Sequence, residues 1–164
     1  MKIGVVSDTH DDVGNVKKIV KIFKNEKIEK VIHLGDYIAP PIVMLFKDFS
    51  LTGIFGNNDG YKFYLIKMFE EIDGELLGDF ARLDIKGLKI ALYHGEFREI
   101  SEALAKSGDY DIVFCGHFHK SEKTAFDRTL LLSPGSAHSY FKKDSSPTFG
   151  IFNTSDKSFE IISI

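Results

Sequence analysis

Five short apolar runs in this chain each stop at a polar residue that can bind metal, and that pattern constrains the fold more than any other. The runs are 2–6, 30–34, 51–55, 88–93 and 111–115. The stops are Ser7-Asp8-Thr9-His10, Gly35-Asp36, Gly56-Asn57-Asn58-Asp59, His94-Gly95 and Gly116-His117-Phe118-His119. Runs this short and this apolar suit buried strands. After the first run, Val16, Ile19, Val20 and Phe23 recur at helical spacing, 41–49 reads as a short helix opened by proline, and 61–72 as another helix. Strands alternating with helices pair in parallel through right-handed crossovers. In an open α/β sheet the carboxyl ends of such strands share one edge, where ligands bind, so the polar stops converge there.

Beyond Gly74 the pattern changes to strands with short turns: 80–85, a Lys86-Gly87 turn, and 88–93. A helix over 99–106, closed by Gly108, leads to the run 111–115. The remainder, with strands at 124–126, 129–132, 148–153 and 158–162, reads as antiparallel, its last pair joined at Ser155-Asp156-Lys157. No repeat or linker interrupts the 164 residues, which suit a single domain over 1–164.

At 43% hydrophobic and 13% aromatic, the chain can bury a sizeable core. No apolar run reaches the roughly 18 residues of a membrane span, and the amino terminus lacks a secretion signal's basic region and cleavage site, so a cytoplasmic protein is expected. A single cysteine, Cys115, excludes an internal disulfide and a cysteine-built zinc module, and its apolar run predicts an inert thiol. Any metal must sit on His, Asp, Glu or Asn. The 21 basic residues against 24 acidic ones leave a net charge of -3, and apart from pairs such as Lys17-Lys18 and Lys142-Lys143 the basic residues are scattered. No dedicated nucleic-acid groove is evident.

Taken singly, each polar stop reads as an ordinary turn, cap or interior histidine. Their conjunction points to metal. Asp8, Asp36, Asn57, His10, His94, His117 and His119 supply two carboxylates, one amide and four imidazoles. These ligands suit Mn²⁺, Fe²⁺, Zn²⁺, Ni²⁺ or Mg²⁺. They exceed what one tetrahedral site uses; with Asp36 as a bridge they divide into two sites holding ions about 3.5–4 Å apart, as in phosphate-ester hydrolysis.

The run D-x-H, G-D, G-N-x-D, H-G and G-H-x-H resembles the calcineurin-type metallophosphoesterases along the whole chain. Their small bacterial and archaeal phosphodiesterases and the eukaryotic retromer scaffold subunit share the late element seen here as Pro134-Gly135-Ser136. The resemblance implies a two-sheet β sandwich flanked by helices, in four α/β/β/α layers. It implies a first metal on Asp8, His10, Asp36 and His119 and a second on Asp36, Asn57, His94 and His117. The two divalent ions, Mn²⁺ or Ni²⁺ ahead of Fe²⁺, Zn²⁺ and Mg²⁺, would serve a small phosphodiester substrate attacked by a bridging hydroxide. A phosphomonoesterase and a non-catalytic protein-binding scaffold are the alternatives, as monomer or homodimer.

Asn58 stands where many members of that family carry the histidine that protonates the leaving group. It can donate hydrogen bonds but no titrating proton, and Asp59 beside it keeps its place with an altered purpose; both are catalytic candidates on the leaving-group side. Asn58 and Arg98, at the head of the 99–106 helix, are candidate substrate contacts, with a surface ion pair the alternative for Arg98. His33 reads either as support for Asp36 or as a buried structural histidine, and His138, following Pro134-Gly135-Ser136, either as a substrate contact or, the safer reading, as an exposed loop residue. The loops 60–80 and 136–148 would form the pocket walls.

Overall fold

In the computed structural model, which describes residues 1–140 and 146–164, the first apolar run forms β1 (Lys2–Val6), and its side chains alternate between two cores. Val6 joins Val16, Ile19 and Phe23 of α1 (Val13–Asn25). Ile3 and Val5 instead join Ile32, Leu34, Ile90, Leu92, Ile112 and Phe114. One face of the strand therefore meets helices and the other meets a second sheet.

The first sheet continues with β2 (Lys30–His33), β3 (Ser50–Gly53) and the short β4 (Glu75–Leu76), with α2 (Lys62–Glu71) between the last two. β1, β2 and β3 pair in parallel, as the alternating pattern predicts, and β4 adds a parallel strand that the pattern does not show. β10 (Thr148–Asn153) and β11 (Phe159–Ser163) add antiparallel strands beyond β1. The second sheet has the order β5-β6-β7-β9-β8, from β5 (Phe80–Ile85), β6 (Leu88–Tyr93), β7 (Ile112–Phe114), β8 (Ser121–Phe126) and β9 (Thr129–Pro134). α3 (Arg98–Lys106) covers its outer face through Ala105 against Ala91, Val113, Cys115 and Leu131. The layers are thus the expected helix, sheet, sheet, helix.

Two readings of the sequence need correction. The strands after residue 115 are not antiparallel throughout: β8 pairs antiparallel with β9, and β10 with β1 and β11, but β9 pairs in parallel with β7, which is itself parallel to β6. α3 is the crossover that makes β7 parallel to β6. The segment expected as a helix over 41–49 is a 3-10 helix, Pro40–Phe46. Pro40 and Pro41 have no N–H to donate, and the Ile42 N–H reaches back only three residues, to the Ala39 carbonyl at 3.2 Å. No helix among the described residues is long and apolar enough to cross a membrane.

Candidate metal centre

Backbone bonds tie together the loops at the carboxyl edges, two of them within a sheet and the last between the sheets. The Asp8 N–H donates to the Gly35 carbonyl at 3.0 Å, Gly116 to His94 at 2.7 Å, and Ala137 to Ser7 at 3.0 Å. Such close approach needs glycine: a side chain on Gly56 would strike the Asp36 backbone nitrogen at 2.4 Å, and one on Gly116 would fall on Ser7 Oγ. The loops are also bent into unfavourable conformations. Of the seven candidate ligands, Asp8, His10, Asp36, His117 and His119 have positive φ.

Asp8, Asp36 and His94 are buried at 0%, 1% and 0% exposure. His10 Nε2 lies 3.4 Å from Asp36 Oδ2, His94 Nε2 lies 3.5 Å from the same atom, and His119 Nε2 lies 3.1 Å from Asp8 Oδ1. On the far side, His117 Nδ1 is 2.9 Å from Asn57 Oδ1, and the His117 and His94 rings stand edge to face at 5.3 Å. All seven ligand candidates are therefore linked in one cluster.

Three of its buried atoms, Asp8 Oδ1, His10 Nε2 and His94 Nε2, make no hydrogen bond among the described residues. Buried polar atoms are rarely left so, and three facing one another are what a cation would satisfy. The tautomer of His94 agrees: Nδ1–H donates to the Leu34 carbonyl at 2.6 Å, which leaves the Nε2 lone pair for a ligand. Two carboxylates with imidazoles fit a borderline divalent ion. In the metal-free chain, burial opposes the charge on His94, but Asp36 and Asp8 outweigh it and raise its pKa to about 9. Burial likewise opposes the Asp8 charge, and His10, His119 and His94 nonetheless hold its carboxyl far below the usual range.

Asp59 is occupied otherwise than as a leaving-group residue. Its Oδ1 accepts the N–H groups of Tyr37 and Ile38 at 2.7 and 3.0 Å, and its Oδ2 those of Asp36 and Gly56 at 2.9 and 2.7 Å. Asn58, which is exposed, donates from its backbone to Asp36 Oδ1 at 2.9 Å and from Nδ2 to Asp36 Oδ2 at 2.8 Å. Arg98 forks onto Glu122 and also reaches Glu102 at 3.1 Å, and it lines a cavity of about 560 Å³ with Cys115 and Phe118. Its guanidinium is thus engaged by carboxylates. His33, fully buried, accepts the Gly35 N–H at Nδ1 and meets Thr9 Oγ1 at 3.1 Å, in the loops that carry Asp8 and Asp36.

His138 is not the exposed loop residue the sequence suggests. It is 2% exposed and packs against His10 and His119 at ring distances of 4.4 and 4.8 Å. Only the neighbouring Pro134-Gly135-Ser136 turn hinted at this. Lys142, Lys143 and the rest of 141–145, within the 136–148 loop, lie outside the described residues.

Residues 1–157 match the profile described as the calcineurin-like phosphoesterase superfamily domain. Phosphodiesterase MJ0936 of Methanocaldococcus jannaschii is 35% identical over 165 aligned positions, which cover 99% of this chain and 98% of that protein. A solved structure described as a novel archaeal phosphodiesterase superposes with a TM-score of 0.93 at 35% identity, over 100% of both chains. Vps29 of Entamoeba histolytica, solved with zinc, shares the fold at a TM-score of 0.74 and 19% identity, over 100% of this chain and 98% of that one.

Proposed function

The chain belongs to the calcineurin-like phosphoesterase superfamily, and from that premise we propose that it is a divalent-metal-dependent phosphodiesterase acting on small phosphodiesters. The observation that carries this reading is the trio of buried atoms, Asp8 Oδ1, His10 Nε2 and His94 Nε2, without hydrogen bonds among the described residues. Asp8, His10, Asp36 and His119 would hold one ion and Asp36, Asn57, His94 and His117 a second. Mn²⁺ or Ni²⁺ is the leading choice, and Fe²⁺, Zn²⁺ and Mg²⁺ are compatible. Bound there, two such ions would acidify water and offset the negative charge that grows on a phosphoryl group.

The rest falls to the chain's own residues. The Leu34 carbonyl, 2.6 Å from His94 Nδ1, keeps the ligand nitrogen unprotonated once an ion is present. Asp59 acts by position, holding the Asp36 loop through its four N–H contacts. Asn58 can turn its Nδ2–H from Asp36 toward a phosphoryl or leaving oxygen, but it has no proton to give up. Diesters with acidic, aryl-type alcohols should therefore turn over faster than alkyl ones. Asn58→His is expected to narrow that ratio, read from paired aryl and alkyl diester rates; an unchanged ratio would remove Asn58 from the leaving-group side.

The deciding experiment strips the protein of metal and adds back Mn²⁺, Ni²⁺, Zn²⁺, Fe²⁺ or Mg²⁺ singly, with aryl phosphodiester and phosphomonoester substrates. Diester turnover restored by metal is the expected result. A preference for the monoester would identify a phosphatase, and no turnover with any ion would leave a binding scaffold.

A further inference from the structure

Resting on that reading of the metal centre, we propose that His138 is a further direct ligand of the ion held by Asp8, His10, Asp36 and His119, and that it tunes this position toward Zn²⁺ and Ni²⁺. The geometry places two donor groups around His10. One ligand atom from each of His10, His119 and His138 lies within 4.8 Å of the others, and the same holds for Asp8, His10 and Asp36. His10 belongs to both groups, and His119 joins them through Nε2, 3.1 Å from Asp8 Oδ1. The two groups thus share His10, and His119 turns Nε2 toward Asp8 and Nδ1 toward His138. His138 Nε2 lies 3.4 Å from His119 Nδ1, near the limit for a hydrogen bond.

The backbone around His138 is fastened to the ligand loop on both sides. Ahead of it, the Ala137 N–H donates to the Ser7 carbonyl at 3.0 Å and Ser136 Oγ donates to the Asp8 carbonyl at 3.2 Å. Behind it, the Ser139 N–H donates to Asp12 Oδ2 at 3.0 Å. The residues on either side of His138 are thereby referred to the same loop that carries Asp8 and His10. Such prior fixing lowers the ordering cost of recruiting a ligand. The added imidazole has a chemical consequence: nitrogen donors favour Zn²⁺ and Ni²⁺, whereas Mg²⁺ and Mn²⁺ prefer oxygen.

The test titrates metal-stripped full-length protein with Zn²⁺ and with Mn²⁺ against a chromophoric chelator, for wild type, His138→Gln and His138→Ala. Co²⁺ loading with its visible d–d spectrum is a second readout, and thermal melts of the metal-free proteins check folding. Direct ligation predicts that both variants lose at least about tenfold in Zn²⁺ affinity, shift the Co²⁺ band, and change little toward Mn²⁺. A mere hydrogen-bonding support for His119 would be restored by glutamine, so wild-type affinity and spectrum in His138→Gln overturn the proposal. Unchanged Zn²⁺ binding in both variants overturns it as well. If wild type itself takes up no ion, the metal reading fails first and the proposal falls with it.

Discussion

At the scale of single residues, the centre is assembled from strained positions held by buried polar contacts. Left-handed backbone costs a residue with a side chain about 1–2 kcal/mol, and Asp36 and the β-branched Ile38 adopt it with φ of 59° and 75°. Asp59 offsets this by accepting the N–H groups of both residues and of Tyr37 between them. Asp59→Asn would turn an amide N–H₂ against those donors, and we expect urea unfolding to show a loss of about 3 kcal/mol. A loss near zero would show that the loop is held by something else. His33 acts through its neutral form. Its Nδ1 accepts from Gly35, so the proton sits on Nε2, facing Thr9 Oγ1. Burial lowers its pKa from 6.5 to about 3, so between those values the unfolded chain binds a proton that the folded one refuses. Stability from this source is complete above pH 6.5 and is lost as pH falls toward 3. His33→Gln should flatten the stability profile between pH 6.5 and 4 in urea melts of metal-free protein; an equal slope would mean that His33 protonates without penalty.

Among the elements, α1 shows how one cap can serve both a helix and a ligand loop. Asp12 Oδ1 accepts the Asn15 N–H at 3.0 Å, while Oδ2 takes Asn15 Nδ2 and the Ser139 N–H, the latter from the His138 loop. Removing a cap costs about 1 kcal/mol, and stranding the Ser139 donor adds to that, so Asp12→Ala should lose about 2 kcal/mol in denaturant melts. Asp12→Ser should recover only the cap; full recovery would mean the Ser139 bond contributes nothing. None of this tie is legible in the sequence, because residues 12 and 139 meet only after the chain folds. The strands that end in candidate ligands were legible, since continuous apolar runs are a local signal. β4 was not: Glu75 and Leu76 carry no run and are placed by pairing with Thr52 and Gly53. The parallel pairing of β7 with β9 was hidden as well, because β8, which precedes β9 in the chain, lies on its far side in the sheet. Likewise the residue types at the centre could be read from their spacing, whereas the burial of His138 and the four contacts of Asp59 depend on packing between distant loops.

On the scale of the whole molecule, three apolar clusters among the described residues divide the work: one between the first sheet and its helices, one between the sheets, and a smaller one beneath α3. The middle cluster packs the two sheets together, so the spacing of the edges that carry the candidate ligands depends on the sheets remaining docked. The smallest cluster contains Cys115, whose run leads directly into His117, and it therefore offers a probe of the second sheet. Cys115 is 3% exposed, and burial, foremost, pushes its thiol up to about 12. A raised thiol pKa means less thiolate at pH 8, and thiolate is the reactive form. Both factors slow modification in the folded protein, and both vanish when α3 lifts from the sheet. A thiol reagent at pH 8 should therefore label native protein at least about 100-fold more slowly than urea-unfolded protein. With increasing denaturant, the labelling rate should rise along with loss of the fold if α3 opens only with the rest. A rate that rises well before the spectroscopic transition would instead show that α3 opens as a separate unit, and labelling at the unfolded rate without denaturant would contradict the packing of this cluster.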